Sequence, residues 1–328
     1  MKTKDTLINI LLSAVSFFLV FLCLEVYVRY DTYRIQGFGK SFEDRLSESA
    51  NKGVTNIGHS QSMMGLVQPS SLPNVIYELK PKVSGQFLGQ EFSTNSFGAR
   101  DREYPREKPK GTFRIVGVGD SVMFGWGVAP GECYLDIIED KLISTGKNAE
   151  VINMGVPGYN TAIELAVIRE KVLPLTPDAI ILQIVDNDLA LPLFMHKQVD
   201  PLSMSKSFAY EFIETRLKKR KARTLYEGHF SGVDKATQSE VLSEYRDMEG
   251  INSFSKSLEE LGAISKSKGL PVIIVRGRLP EDMSSVVDRV SAKFGFIVVN
   301  PKETVDQYML KKNIVKKADR VKLLTLSP

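Results

Sequence analysis

Two patterns of apolar and polar residues divide the chain. From residue 111 onward, short apolar runs of strand length alternate with segments whose apolar residues recur at helical spacing. The predicted strands are Ile115–Val118, Glu150–Asn153, Ala179–Val185, Pro271–Val275 and Phe296–Val299, and the predicted helices are Glu132–Leu142, Thr161–Leu173, Ile251–Lys268 and Glu281–Phe294. This alternation predicts an α/β fold with a doubly wound parallel sheet and helices on both faces.

The N-terminal residues follow a different pattern. Residues 7–28 are almost wholly apolar, and this run reaches the roughly 20 residues that span a bilayer. Lysines precede it, as in a secretory signal, but no site with small residues for cleavage follows. We therefore expect residues 1–30 to be an uncleaved transmembrane signal anchor. The protein would be single-pass, contacting the membrane through residues 7–28, with its main domain outside the cytoplasm.

Residues 31–110 are polar, rich in turn-forming residues and without clear periodicity, which predicts an irregular extracytoplasmic linker before a domain over residues 111–328. Within it, residues 77–81 and 95–100 are predicted to be short extended pieces joined by turns. A long insertion, about residues 189–250, separates the third and fourth predicted strands. Insertions of this size are often lids or substrate-binding caps. Its basic run over residues 216–223 is interpreted as a solvated helix face, with contact to anionic headgroups or an acidic glycan as the alternative.

Composition excludes several classes of function. The formal net charge of +4 is too small to indicate nucleic-acid binding. Two cysteines, Cys23 and Cys133, and three histidines, His59, His196 and His229, provide neither a disulfide framework nor a histidine-rich metal site.

Three loops at the carboxyl ends of predicted strands carry residues suited to acyl transfer. They are Gly119-Asp120-Ser121, residues 155–158 (Gly-Val-Pro-Gly) and residues 186–188 (Asp-Asn-Asp). In an open α/β sheet this edge is where ligands bind. Acyl transfer needs a nucleophile beside donors for the developing oxyanion, and the backbone N–H groups of Ser121 and Gly158 with the Asn187 amide can converge there. For Gly-Asp-Ser alone, the alternative is a helix cap.

These blocks, in this order, resemble those of the GDSL/SGNH hydrolases, a family of esterases and lipases. The resemblance covers residue 111 onward and implies a flavodoxin-like three-layer α/β/α fold with a five-stranded parallel sheet. It also implies that Ser121 is the nucleophile, that Gly158 and Asn187 form the oxyanion hole, and that no cofactor is required. Dinucleotide, P-loop and α/β-hydrolase elbow motifs do not match the glycine positions around Ser121.

The sequence departs from the family pattern at two places. Asp186 stands where the family commonly has glycine, and its carboxylate would oppose an oxyanion unless it points away. No Asp-x-x-His block, the family's source of the general base and its partner, follows residue 229. Three explanations stay open: a truncated sequence, a non-catalytic descendant, or a substitute base, His196 or His229, from the insertion.

The resulting hypothesis is an ester hydrolase or acyltransferase of the cell envelope. Its substrates would be acylated carbohydrates or small esters, and the missing Asp/His block would impair its activity. The alternative is a non-catalytic glycan-binding or scaffolding protein of an envelope assembly.

Overall fold

The computed structural model describes residues 2–36, 66–87, 90–192, 202–214 and 243–311. The chain forms two compact units, one from residues 1–41 and 197–229 and one from residues 42–196 and 230–328. The first is called the anchor unit below and the second the sheet unit.

The described strands are β1 (Val67–Pro69), β2 (Tyr77–Leu79), β3 (Ser84–Phe87), β4 (Gln90–Ser93), β5 (Phe113–Val118), β6 (Ala149–Asn153), β7 (Ala179–Ile184), β8 (Val272–Arg276) and β9 (Ile297–Val299). The described α-helices are α1 (Lys2–Gln36), α2 (Ser121–Phe124), α3 (Tyr134–Ser144), α4 (Thr161–Val167), α5 (Gly250–Lys268), α6 (Glu281–Phe294) and α7 (Lys302–Lys311).

Five parallel strands form the central sheet, in the order β6-β5-β7-β8-β9. Numbered within the sheet this is 2-1-3-4-5, the flavodoxin-like order. The predicted doubly wound, five-stranded parallel sheet is therefore confirmed. Strand order reverses at β5, which pairs with both β6 and β7, and ligands bind beside such a switch point in doubly wound folds.

Alternate side chains of β5 point to opposite faces of the sheet, where they pack in two apolar cores. Val116 and Val118 pack with one core, which includes buried residues of α4, α5 and α6. Ile115 faces the other core with Leu135 of α3. Strands covered on both faces read as continuous apolar runs, which is why periodicity located them.

The segment predicted to be one helix over Thr161–Leu173 changes its hydrogen bonding midway. After α4, residues Ile168–Val172 form a π-helix and Leu173–Leu175 a 3₁₀ turn. Pro174 lacks an N–H and cannot continue an α-helix, so the element ends there.

The structure differs from the linker prediction over residues 66–110. Two antiparallel hairpins, β1–β2 and β3–β4, lie in this region. Their side chains Tyr77, Leu79 and Phe92 are buried in the same core as the sheet and its helices. These strands have three or four residues each, too few for a period to show in the sequence.

The two ends of the insertion between β7 and β8 are hydrogen-bonded to each other within the sheet unit. The Gly250 N–H donates to the Leu189 carbonyl at 2.7 Å, and the Leu191 N–H donates to Glu249 Oε1 at 2.7 Å. These two bonds are called the junction of the insertion below.

In the anchor unit, α1 contains the span Ile8–Asp31, with 24 residues and a mean hydropathy of 2.4. None of its window is buried, and it is long and apolar enough to cross a membrane. Membrane anchors and signal sequences both have these properties.

Candidate active site

Ser121 lies at the carboxyl end of β5, beside the switch point of the sheet. Gly119 makes the turn from strand to helix, since a Cβ there would lie 2.9 Å from Met123 Cβ and 3.1 Å from Gln183 Cβ. Asp120 caps the short helix α2 and accepts the Val122 N–H at 2.9 Å. The helix-cap reading of Asp120 is therefore correct, and it leaves Ser121 as the first residue of the helix.

The Asp120 carboxylate connects two of the predicted site residues. Its Oδ2 accepts the Ser121 hydroxyl at 3.2 Å, and the Asn187 side-chain amide hydrogen-bonds to the same carboxylate. Asp120 is 1% exposed. Burial raises the pKa of Asp120, while the bonds from Val122, Ser121 and Asn187 oppose the shift. The serine and the asparagine thus come together through one buried acid.

The second block is tied to the first by the side chain of Asn153. Its amide donates to the Met123 carbonyl at 2.9 Å, and its Oδ1 accepts the Gly155 N–H at 3.0 Å. A Cβ on Gly155 would lie 2.5 Å from the Phe124 nitrogen, so only glycine fits against α2. These contacts hold the loop after β6 against the serine-bearing helix.

Gly158 lies in the same loop with φ of +82°, a conformation that favours glycine. A Cβ on it would lie 3.0 Å from both Pro192 Cβ and the Tyr77 hydroxyl. Within residues 90–192 and the other described ranges, its N–H has no hydrogen-bond acceptor and no bond joins it to Ser121 or Asn187. The structure therefore links Ser121 with Asn187 through Asp120, and places Gly158 in the adjoining loop with its N–H available.

Two further buried acids lie behind Asp120. Glu164 of α4 and Asp188 after β7 are 0% and 2% exposed. Asp188 Oδ2 accepts the Thr161 hydroxyl at 3.3 Å and the Val185 N–H at 3.2 Å. Burial, followed by repulsion among the acids, raises the pKa of Glu164 and of Asp188 well above the usual range.

The raised pKa values of Glu164 and Asp188 favour the neutral form of these two carboxyl groups. A buried acid that holds its proton at neutral pH adds no negative charge beside a developing oxyanion. Asp186 is half-buried, and its charge raises the pKa of Asp188 further. In the part of the chain that the structure describes, no three acidic, histidine or cysteine side chains are arranged to hold a metal ion.

Sequence reasoning missed two residues that support the site, because both come from the region interpreted as a linker. Arg100 donates to the carbonyls of Phe124 at 2.7 Å and Gly125 at 2.5 Å, and also to that of Val128. Asp101 accepts the Asn153 N–H at 2.8 Å. An Arg-Asp pair in a turn-rich stretch carries no periodic signal, and only the contacts identify its role.

Several predicted residues lie outside the described ranges. They are His59, His196, His229, the basic run over residues 216–223 and the C-terminal residues 321–328. The substitute-base hypothesis for His196 or His229 therefore stays a prediction.

Comparison with known proteins gives one family and a group of solved structures. Residues 118–260 match the model of the GDSL-like lipase/acylhydrolase family. Among solved structures, AlinE4, an SGNH-hydrolase family esterase, is 18% identical, with 64% of this chain and 86% of that chain covered and a TM-score of 0.39. A lipase/acylhydrolase from Enterococcus faecalis is 16% identical, with 60% and 80% covered and a TM-score of 0.37.

A third solved structure, the psychrotrophic esterase EstA from Pseudoalteromonas sp., is 11% identical, with 63% of this chain and 85% of that chain covered and a TM-score of 0.38. No curated protein matches the chain. The strand order shows the fold, and the similarity to the GDSL-like lipase/acylhydrolase family covers residues 118–260.

Proposed function

Because residues 118–260 are a domain of the GDSL-like lipase/acylhydrolase family, we propose that the protein cleaves or transfers acyl esters with Ser121 as its nucleophile. The observation that carries this proposal is the position of the Ser121 hydroxyl. It lies beside the switch point of the sheet and hydrogen-bonds to Asp120, which also holds Asn187. A nucleophile there is next to the crevice where doubly wound folds bind ligands.

In the proposed reaction, Ser121 Oγ attacks the acyl carbon and forms a tetrahedral oxyanion, while the hydroxyl proton passes to the Asp120 carboxylate that accepts its hydrogen bond. The Gly158 N–H and the Asn187 amide donate hydrogen bonds to that oxygen, which stabilise charge where it develops. The alcohol then leaves with the proton that Asp120 held. Water or a second alcohol next attacks the acyl-enzyme and gives its proton to the same carboxylate, which returns it to Ser121 Oγ as the serine is released. In the free enzyme the Asn187 amide donates to Asp120. During the reaction it must exchange this hydrogen bond for one to the oxyanion.

We further propose that α1 anchors the protein in the membrane, with the sheet unit outside the cytoplasm. Its substrates there would be acylated carbohydrates or small esters. The apolar span of α1 supports the anchor. The family supports the ester bond, whereas the sugar part of the substrate follows only by analogy.

The test compares the full chain with its Ser121→Ala variant on p-nitrophenyl acetate, in detergent. We expect the substitution to lower the rate at least about 100-fold, as loss of a nucleophile does in serine hydrolases. Ser267→Ala is the matched control, because Ser267 is an exposed serine on α5. Equal rates for the unsubstituted chain and Ser121→Ala would reject the nucleophile and favour a non-catalytic glycan-binding protein.

A further inference from the structure

The end of the apolar helix α1 holds a second segment of the anchor unit. Residues Phe21, Leu24, Glu25, Val28 and Arg29 are less exposed than their neighbours and recur at helical spacing. Val26, Tyr27 and Tyr30, on the other side, are each about 60% exposed. The covered stripe belongs to a contact with residues 202–214 of the insertion.

Two charged side chains of α1 make most of this contact. Glu25 accepts the Ser207 hydroxyl at 2.8 Å and the backbone N–H groups of Phe208 at 3.1 Å and Ala209 at 2.7 Å. These N–H groups begin the helical residues 208–214, whose first turn favours a negative charge. Phe208 and Ala209 are buried, so the contact excludes water.

Arg29, on the next turn of α1, contacts the same segment. Glu25 and Arg29 are together called the Glu25–Arg29 clamp below. It pairs with Glu25 at 2.7 Å and donates to the carbonyls of Ser203 at 2.8 Å and Lys206 at 3.2 Å. Its guanidinium also lies 4.6 Å from the centre of the Phe208 ring. Five hydrogen bonds from these two residues therefore fix the height of residues 203–209 along α1.

That height follows from helix geometry. At about 1.5 Å per residue, Glu25 lies about 26 Å and Arg29 about 32 Å beyond Ile8, the start of the span. The hydrocarbon core of a bilayer is about 30 Å thick, so the clamp brackets its boundary. A segment held there lies at the level of the headgroups.

Three large side chains of this segment with apolar surface are exposed. Met204 is 90% exposed, Leu202 78% and Tyr210 61%. Exposed Met and Leu side chains are costly in water but gain free energy in the interfacial layer, and tyrosine is enriched there. Charged side chains of the segment pair with each other, as Lys206 does with Glu211 at 3.1 Å.

We propose that residues 202–214 are a second membrane-contacting element, which the Glu25–Arg29 clamp holds in the headgroup layer with Leu202, Met204 and Tyr210 inserted into the bilayer surface. The inference rests on the proposed anchor role of α1. It gives the first part of the insertion a lipid surface as its partner.

The experiment uses the full chain in phosphatidylcholine vesicles with brominated acyl chains, which quench tryptophan. The native Trp126 is replaced by phenylalanine, and single tryptophans are placed by Met204→Trp, Tyr210→Trp and, inside the span, Val20→Trp. We expect all three to lose fluorescence relative to unbrominated vesicles. Bromines near the headgroup should quench positions 204 and 210 more than bromines near the chain ends, and position 20 should show the reverse.

Position 20 separates the two proposals. Quenching at position 20 without quenching at 204 and 210 would leave the anchor intact and reject the second element. No quenching at position 20 would reject both. Glu25→Gln combined with Arg29→Gln should restore fluorescence at 204 and 210 only, and unchanged quenching there would reject the clamp.

Discussion

Asp120 shows how one side chain serves the fold and the chemistry at once. One carboxylate oxygen caps α2, and the other accepts the Ser121 hydroxyl. Asparagine is as good a helix cap as aspartate, so Asp120→Asn preserves the turn but removes the charged acceptor.

We predict that Asp120→Asn lowers kcat about 100-fold, the low end of what a proton acceptor contributes. Thermal unfolding should change little, because the cap is retained. Asp140→Asn on the exposed face of α3 is the matched control. An unchanged kcat would show that the Ser121–Asp120 bond has no part in the reaction.

Asp101 gives the site a dependence on pH. Burial raises its pKa from 3.8 to about 7, and the Asn153 and Arg102 N–H groups oppose the shift. The folded state therefore binds this proton more tightly than the unfolded state, so the contribution of Asp101 to the free energy of unfolding is greatest below about pH 4 and is lost as pH rises through about 7.

Asp101→Asn has no titrating group at this position. We therefore expect the decrease in the free energy of unfolding that Asp101 causes as pH rises, at most about 4 kcal/mol, to be absent from the variant. Urea unfolding at about pH 5 and about pH 8 measures it, with Asp140→Asn again as control. Relative to the unsubstituted chain, the free energy of unfolding of the variant should be higher at about pH 8 than at about pH 5. The same difference at both pH values would contradict a raised pKa for Asp101.

At the scale of elements, sequence patterns located the five sheet strands and their helices to within two residues at nearly every end. Continuous apolar runs such as Ala179–Ile184 are unambiguous because both faces of the sheet are covered. Of the hairpin strands, only β2 lies in a predicted extended piece, and the pairing of β1–β4 was missed because these strands are short and carry Pro69 and Gly85. Of the site, strand-end positions indicated Ser121 and Asn187, but Arg100 and Asp101 act through contacts distant in sequence.

One buried ion pair joins the amino ends of β5 and β6. Arg114 is 0% exposed, pairs with Glu150 at 2.7 Å and donates to the carbonyls of Pro105, Arg106 and Leu175. We predict that Arg114→Met lowers the free energy of unfolding by about 3–5 kcal/mol, because Glu150 is left as an unpaired buried charge.

The matched control is Arg289→Met, which removes an exposed pair with Glu259 and should cost less than about 1 kcal/mol. Urea unfolding compares the two variants. Similar costs for both would mean that the buried pair contributes no more than a surface one.

At the scale of the whole molecule, the apolar span predicts how the protein partitions. We expect the full chain to stay in the membrane pellet after alkaline carbonate extraction. Leu12→Arg with Val20→Arg should release it, since each arginine in the span costs about 2.5–3.5 kcal/mol. Tyr308→Arg, on α7 of the sheet unit, is the control. Release of the unsubstituted chain would reject the anchor, and the mass of the N-terminal peptide distinguishes an anchor from a cleaved signal.

The junction of the insertion has a consequence for how this protein can vary. Leu189 and Gly250 meet in one hydrogen bond, so the ends of the intervening segment are brought together by the sheet unit itself. The entropy of closing such a loop grows only slowly with its length. Residues 197–229, the part of this segment that belongs to the anchor unit, can therefore change in length without altering the register of β7 against β8. The same junction is a suitable site for inserting a foreign domain whose N and C termini are close together.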